Sequence, residues 1–234
     1  MTSPAENTHP SWDSVWDCVF SSQEWGKYPS ESLIQFVARN FYRRADRAET
    51  KILEVGCGPG PNIWYLAREG FSAYGIDGSQ RAIQLANPRL HAEGLSAVLH
   101  VGDIISLPFP DSFFDAVVDV ECLYANSRES TVEILKEIER CLKPGGLFYS
   151  RTLTDRMYIG KSQTQWGHMQ YTDISDGPIA GKGFTRLMDR AEIDSLYRPI
   201  FDIVSIDRLE YSVNNESQTI SEWVIIGAKR ENNA

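Results

Sequence analysis

Basic residues are scarce in this chain. Twenty-three lysines and arginines face thirty-two acids among 234 residues, a net charge of −9. A long nucleic-acid groove needs a positive footprint, so a nucleic-acid partner is not expected. Cysteine is sparse too. Cys18, Cys57, Cys122 and Cys141 show neither C-x-x-C nor zinc-ligand spacing, which leaves reduced thiols and no metal site as the expectation. No apolar run approaches the length of a membrane span, and Met1–Glu6 lacks a signal-peptide pattern. Internal repeats and low-complexity segments are also missing. These absences point to a soluble cytoplasmic protein with no membrane contact. Hydrophobic residues at 42% and charged residues at 24% fit that class, and the length suits one α/β domain.

The chain is organised around Lys51–Asn62, K-I-L-E-V-G-C-G-P-G-P-N. A short apolar run with glycines behind it reads as a buried strand entering a tight turn. Pro61 suits the first turn of a following helix, where a missing N–H costs nothing. Strand, glycine turn and helix start make a ligand cradle, because the backbone approaches closely and the helix end offers free donors. A dinucleotide fingerprint is G-x-G-x-x-G, whereas here the spacing is G-x-G-x-G with Pro61 at the place of its third glycine. Glu54, two residues before Gly56, would repel a pyrophosphate but suits an amino acid ammonium. E-V-G-C-G-P-G resembles the first motif of class I methyltransferases that use S-adenosylmethionine.

Ahead of this stretch, residues 1–10 are polar and expected to be mobile. Ser11–Phe20 forms a short candidate helix, and Ser30 is placed to cap a second one whose apolar face carries Leu33, Ile34, Val37 and Phe41. Trp12, Trp16 and Trp25 crowd this leader. Either they pack the helices onto the core, or Trp25 and Tyr28 close over a ligand as a lid.

Beyond the glycine turn, a crossover helix over Asn62–Glu69 leads to a strand over Phe71–Asp77. Asp77 falls seventeen residues after Gly60, where α/β nucleotide sites grip ribose hydroxyls. Its other reading is a helix cap, since Gly78 and Ser79 open a helix expected to stop before Pro88. A third strand, Ala97–Gly102, ends in Asp103-Ile104, an acid able to accept from an adenine amino group beside an apolar cover for the ring. A fourth strand spans Phe114–Glu121, and Ser130 with Glu133 reads as the capping box of the next helix. Val132, Leu135, Ile138 and Leu142 line that helix, which breaks at Lys143-Pro144-Gly145-Gly146 before a fifth strand. Such alternation implies parallel strands with helices on both faces.

V-G-D-I-I-S-L-P-F-P-D-S-F-F-D-A-V-V (Val101–Val118) and L-K-P-G-G (Leu142–Gly146) strengthen the resemblance to small-molecule methyltransferases. The resemblance implies a Rossmann-like, seven-stranded, mostly parallel sheet with helices on both faces and a C-terminal antiparallel hairpin. Segments 201–209 and 222–229 suit the hairpin. It also implies S-adenosylmethionine as cofactor. Glu54 would meet the methionine amino group, Gly56, Gly58 and Gly60 would admit the backbone side, and Asp77 would take the ribose hydroxyls, with Gly78 and Ser79 also in the cofactor site. Asp103 and Ile104 would then take the adenine, with Trp25 and Tyr28 covering the site. The expected organisation is a single domain over 1–234. Within it lie a helical cap (1–50), a cofactor core (51–154), a substrate or lid insertion (155–188) and a helix with the hairpin (189–234).

A hydroxyl, ammonium or carbon-acid acceptor needs a base, and Glu121, Tyr124 and His168 are the candidates. Each has a plain alternative, as a strand-end polar residue, a pocket-shaping ring and a surface histidine. Thr154–Met188 is long and glycine-punctuated, the habit of a binding loop. Trp166, His168 and Tyr171 there suit a second closing segment. Residues 151–190 hold six basic residues against four acids in an otherwise acidic chain, which suits either an anionic small-molecule substrate or a solvated face. A protein methyltransferase, or a cofactor-binding module without activity, are the alternatives.

Overall fold

Residues 12–231 are described by the computed structural model. Two leader helices, α1 (Val15–Ser22) and α2 (Glu31–Phe41), precede an alternating core. That core runs β1 (Lys51–Val55), α3 (Pro61–Arg68), β2 (Ser72–Asp77), α4 (Gln80–His91), β3 (Val98–Val101), β4 (Phe114–Val120), α5 (Arg128–Cys141) and β5 (Leu142–Leu153). An insertion carries β6 (Thr164–Gly167), β7 (Gln170–Thr172) and β8 (Thr185–Arg186), and α6 (Arg190–Tyr197) then leads to β9 (Asp202–Val213) and β10 (Gln218–Ala228).

β1 presents Ile52 to one face of the sheet and Leu53 and Val55 to the other, because both faces are covered. Leu53 and Val55 join a core with Ile134, Ile138, Phe148 and Tyr197 on one side of the sheet. Ile52 joins Leu33, Val37, Ile63, Ile83 and Leu90 on the other. The seven strands lie in the order β3-β2-β1-β4-β5-β10-β9. β1 to β5 pair in parallel, and β10 is antiparallel to both β5 and β9, which is the expected C-terminal hairpin. Strand order reverses at β1, between β2 and β4, so the crevice for a ligand opens at the carboxyl ends of these strands.

Several local expectations change. α4 does not stop at Pro88 but continues to His91 with the proline inside it. Leu90 beyond the proline is buried, and Arg89 donates to the carbonyls of Trp25 and Gly26, each at 3.1 Å. Those contacts offset the roughly 3 kcal/mol that an interior proline costs. The cap of α5 is Ser127 rather than Ser130, its hydroxyl accepting from Ser130 N at 3.1 Å. Starting the helix a turn earlier lets Thr131 and Ile134 join Leu135 and Ile138 on the buried face. The leader helix begins at Val15, whose N–H donates to Asp13 Oδ1 at 2.9 Å. Ser11 and the segment expected to be mobile, residues 1–10, lie outside the described residues.

The long insertion is structured, not an open loop. β6, β7 and β8 form a separate three-stranded sheet. Arg186 in β8 is 2% exposed and pins that sheet to the start of α5, donating to Asn126 O at 3.0 Å and Thr131 Oγ1 at 2.7 Å. Gly183, at φ +74°, lets the preceding turn press against the leader, since a Cβ there would stand 2.7 Å from Asp13 Oδ2. Among the described residues no helix is long and apolar enough to cross a membrane.

Candidate active site

The glycine turn is held by its own backbone. Gly56 N and Cys57 N both donate to Ile76 O, at 2.8 and 3.1 Å, which ties the end of β1 to β2. Gly56 sits at φ +65°, and a Cβ there would lie 2.2 Å from Cys122 Sγ, so no larger residue fits. Gly58 N donates to Asp77 Oδ2 at 2.8 Å, and Ser79 N donates to Asp77 Oδ1 at 2.8 Å. Asp77 therefore braces the turn against the start of α4, while the cap itself is Ser79, whose hydroxyl accepts from Ala82 N at 3.0 Å. Each Asp77 oxygen keeps a further lone pair for a ligand donor. Burial raises its pKa despite those two backbone bonds.

Glu54 is 2% exposed. Its Oε1 accepts from Asn62 Nδ2 at 2.6 Å, and its Oε2 is buried with no hydrogen-bond partner. Burial pushes this carboxyl well above the usual range, with Asp77 and Asp119 adding like charge. A partnerless carboxylate oxygen in a buried wall is a receptor for a cation or a strong donor. Ser30 Oγ and Asn126 Oδ1 are likewise buried without a partner.

All three residues line one cavity of about 230 Å³ at the carboxyl ends of β1, β2, β3 and β4. Gly56, Gly58, Asp77, Gly78, Asp103 and Ile104 line it as well, as do Trp25 and Tyr28 from the leader. Two expected members do not. Gly60, at φ +76°, caps α3 and faces Ala86, whose Cβ would be 3.1 Å from a Cβ at Gly60. Its small size serves helix packing. Ser79 is fully buried beneath the site and donates to Asp17.

The aromatic leader forms the roof. Trp12 lies across Gly78, where a Cβ would strike its ring at 2.4 Å. Trp16 packs on Phe20 with centroids 5.6 Å apart, and Phe20 packs edge-on to Trp25 at 5.2 Å. From the insertion, only Lys182 among the described residues reaches the cavity, its Nζ 5.6 Å from the Trp25 ring centroid. Trp166 is 50% exposed and donates from Nε1 to Thr172 Oγ1. It does not line the cavity, nor does Tyr171, which packs beside Leu153 and Ile179. The insertion thus closes the site through its turn at Gly181–Gly183 and not through its aromatic strands.

The three base candidates separate. His168 borders a different groove, with Arg128, Arg186 and Glu192, because the insertion sheet turns it away from the strand ends. Tyr124 lines the cavity and is 1% exposed, and burial pushes its phenol far up, so it acts as a neutral donor or wall. Glu121 lines the cavity at the end of β4 with φ +59°, a conformation rare outside glycine and concentrated at functional sites. Its carboxylate meets Arg151 Nη2 at 3.3 Å. Arg151 also grips Glu222 Oε2, at 2.9 Å from Nε and 2.5 Å from Nη2. The strained turn is pinned by Asp119, which accepts from Cys122 N and Leu123 N and from the Ser150 hydroxyl. Burial raises Asp119 to about 6. Arg151, Glu222 and Asp119 were not singled out from sequence. An acid inside the apolar run V-V-D-V was the one signal available, while the Arg151–Glu222 pairing depends on adjacent strands far apart in the chain.

Residues 52–146 match the family described as methyltransferase domain. A fatty-acid O-methyltransferase of Mycolicibacterium smegmatis is 36% identical over 124 residues, covering 51% of this chain and 44% of that protein. A tRNA N(3)-methylcytidine methyltransferase of Schizosaccharomyces pombe is 26% identical over 206 residues, covering 76% of this chain and 65% of that protein. The chain thus spans less than two thirds of the length of either relative. A crystal structure of a methyltransferase dependent on S-adenosylmethionine from Methanosarcina mazei superposes with a TM-score of 0.70 at 24% identity, over 88% of this chain and 100% of that one, a likeness of fold. With this strand order, this glycine turn and these relatives, residues 52–146 are a methyltransferase domain of the class I, S-adenosylmethionine-dependent kind.

Proposed function

We propose that this protein transfers the methyl group of S-adenosylmethionine to a small-molecule acceptor that carries an anionic group. The observation behind the reading is the partnerless Oε2 of Glu54 in the wall of an aromatic-roofed cavity, beside a glycine turn braced by Asp77. The donors and acceptors fit the cofactor. Glu54 is placed for its ammonium, Asp77 for its ribose hydroxyls, Asp103 for its adenine amino group and Ile104 for the face of the ring. The bound cofactor supplies an electrophilic methyl, so the work left to the protein is placement and exclusion of water. Trp12, Trp16, Phe20 and Trp25 exclude water, and Tyr124 and Asn126 shape the acceptor side. Glu121 is the cavity group placed to take a proton from an acceptor that has one to lose.

The whole chain is read as one domain, the leader over 1–50 forming its cap, in a cytoplasmic setting. An acidic chain and a small, aromatic-roofed cavity favour a small molecule over the tRNA named for the Schizosaccharomyces pombe relative. A protein acceptor, or a cofactor-binding module without turnover, are the alternatives. The test is calorimetry with S-adenosylhomocysteine, followed by turnover assays across acceptor classes. Absence of binding to wild-type protein overturns the reading, and binding without turnover of any acceptor class favours the silent module.

A further inference from the structure

Lys182 is the one lysine or arginine among the described residues lining the cavity. Its ammonium stands over the Trp25 ring and has no carboxylate within ion-pair distance among the described residues. Burial pulls its pKa down, the mark of a cation short of water, and Glu121 is the acid whose field opposes that shift. A cation partly removed from water and left unpaired costs free energy that a bound anion recovers.

Position along the sheet says which ligand supplies that anion. Asp103, Asp77 and Glu54 stand at the carboxyl ends of β3, β2 and β1 in spatial order, so they trace one extended ligand from its adenine to its amino acid end. Glu121, Tyr124 and Asn126 follow β4, the next strand across, and the strand just after Lys182 is tied to that turn, Arg186 Nε donating to Asn126 O at 3.0 Å. The ammonium therefore belongs to the acceptor half. The same half is poor in bases. No histidine lines the cavity among the described residues, burial keeps the Tyr124 phenol and the Cys122 thiol protonated, Glu121 is tied to Arg151, and Asp13 is engaged in the leader, accepting from Val15 N at 2.9 Å. An acceptor that arrives already ionised needs none of them.

We propose that the acceptor is an apolar or aromatic carboxylic acid, held by Lys182 under the tryptophan roof and methylated on its carboxylate. The inference rests on the methyltransferase reading above. One carboxylate oxygen forms the new C–O bond as the sulfonium S–CH3 bond breaks, and the bonding pair returns to sulfur. The products are a neutral methyl ester and a thioether, and no proton moves.

The test uses the full chain. S-adenosylhomocysteine is titrated first by calorimetry into wild type, Lys182→Met and Lys182→Arg. Octanoate and phenylacetate, with 1-octanol and 2-phenylethanol as uncharged counterparts, are then titrated into each complex and assayed for methylation with S-adenosylmethionine. The expected result is an S-adenosylhomocysteine affinity equal within about twofold in all three proteins. At least one acid should bind about tenfold tighter than its alcohol and be methylated. Lys182→Met should lose about tenfold in acid affinity and in kcat/KM, and Lys182→Arg should restore most of both. Preference for an alcohol, or unchanged acid affinity in Lys182→Met, overturns the proposal. Lost S-adenosylhomocysteine affinity in Lys182→Met also overturns it, by assigning the lysine to the cofactor's own carboxylate. If S-adenosylhomocysteine binds and neither acid does, the carboxylate assignment falls while the methyltransferase reading stands. If wild type does not bind S-adenosylhomocysteine, both fall.

Discussion

The backbone N–H of Gly58 donates to the Asp77 carboxylate at 2.8 Å across nineteen residues of chain. The acid expected to hold ribose therefore also supports the glycine turn that admits the rest of the ligand. Asp77→Ala removes acceptors from two buried N–H groups as well as the ligand contacts. Charge-assisted bonds of this kind contribute about 1.5–3 kcal/mol each, so affinity for S-adenosylhomocysteine and thermal stability should both fall. Unchanged affinity by calorimetry removes Asp77 from the ribose site.

Glu54 links ligand binding to protons. Its folded carboxyl is raised above the ordinary value of 4.5, so between 4.5 and the raised value the folded protein holds a proton that the unfolded chain has released. Stability from this group therefore falls as pH rises through that window. A ligand ammonium at Oε2 favours the carboxylate, so binding should release a proton and S-adenosylhomocysteine affinity should rise with pH there. Calorimetry in buffers of different ionisation heat counts that proton. Glu54→Gln should abolish the release, and a variant that still releases it places the linkage elsewhere.

Gly58 and Gly60 should respond differently to substitution. Gly58→Val strains a residue at φ +51° and projects a side chain toward Phe20 and the cavity, so it should weaken cofactor binding. Gly60→Val meets Ala86 between helices and should chiefly lower the melting temperature. Equal binding losses in both variants would return Gly60 to the ligand cradle.

Trp25→Ala should lower turnover or raise KM for the acceptor, because its ring roofs the cavity and supports Lys182. Trp166→Ala, half-exposed on the insertion sheet, should change stability within about 0.5 kcal/mol and leave KM alone. An effect of Trp166 on KM would revive a second aromatic closing segment.

Arg151→Met leaves Glu222 buried beside Glu121 without its cation. Breaking a buried pair from one side costs about 3–5 kcal/mol. Burial and the neighbouring Glu121 already raise the Glu222 carboxyl, and losing the guanidinium raises it further. The deficit should shrink as pH falls and Glu222 takes up a proton. A deficit independent of pH in chemical denaturation would mean that lost packing, not charge, is responsible.

Much of the cofactor half was legible because its residues are local in sequence and repeat a strand-turn geometry. Glu54, Gly56 and Gly58 stand within five residues, and Asp77, Asp103 and Glu121 each close a strand or its turn. Pro88 and the cap of α5 were misread because Leu90 and Ile134 find buried neighbours that outweigh local preference. His168 has a suitable side chain, yet the register of β6 and β7 turns it into another groove.

The sequence alone determined the parallel core, the carboxyl end of the sheet that opens the cavity, and the acids that line it there. Hydrophobic period and glycine spacing are local properties of the chain, and a parallel sheet allows few ways to join such strands. Tertiary structure decided which aromatics form the roof, that Lys182 alone represents the insertion in the cavity, and that Arg151 binds Glu121 to Glu222. Those relationships join segments from thirty to more than 150 residues apart, and they depend on which faces two packed elements bury, information that neither segment carries by itself.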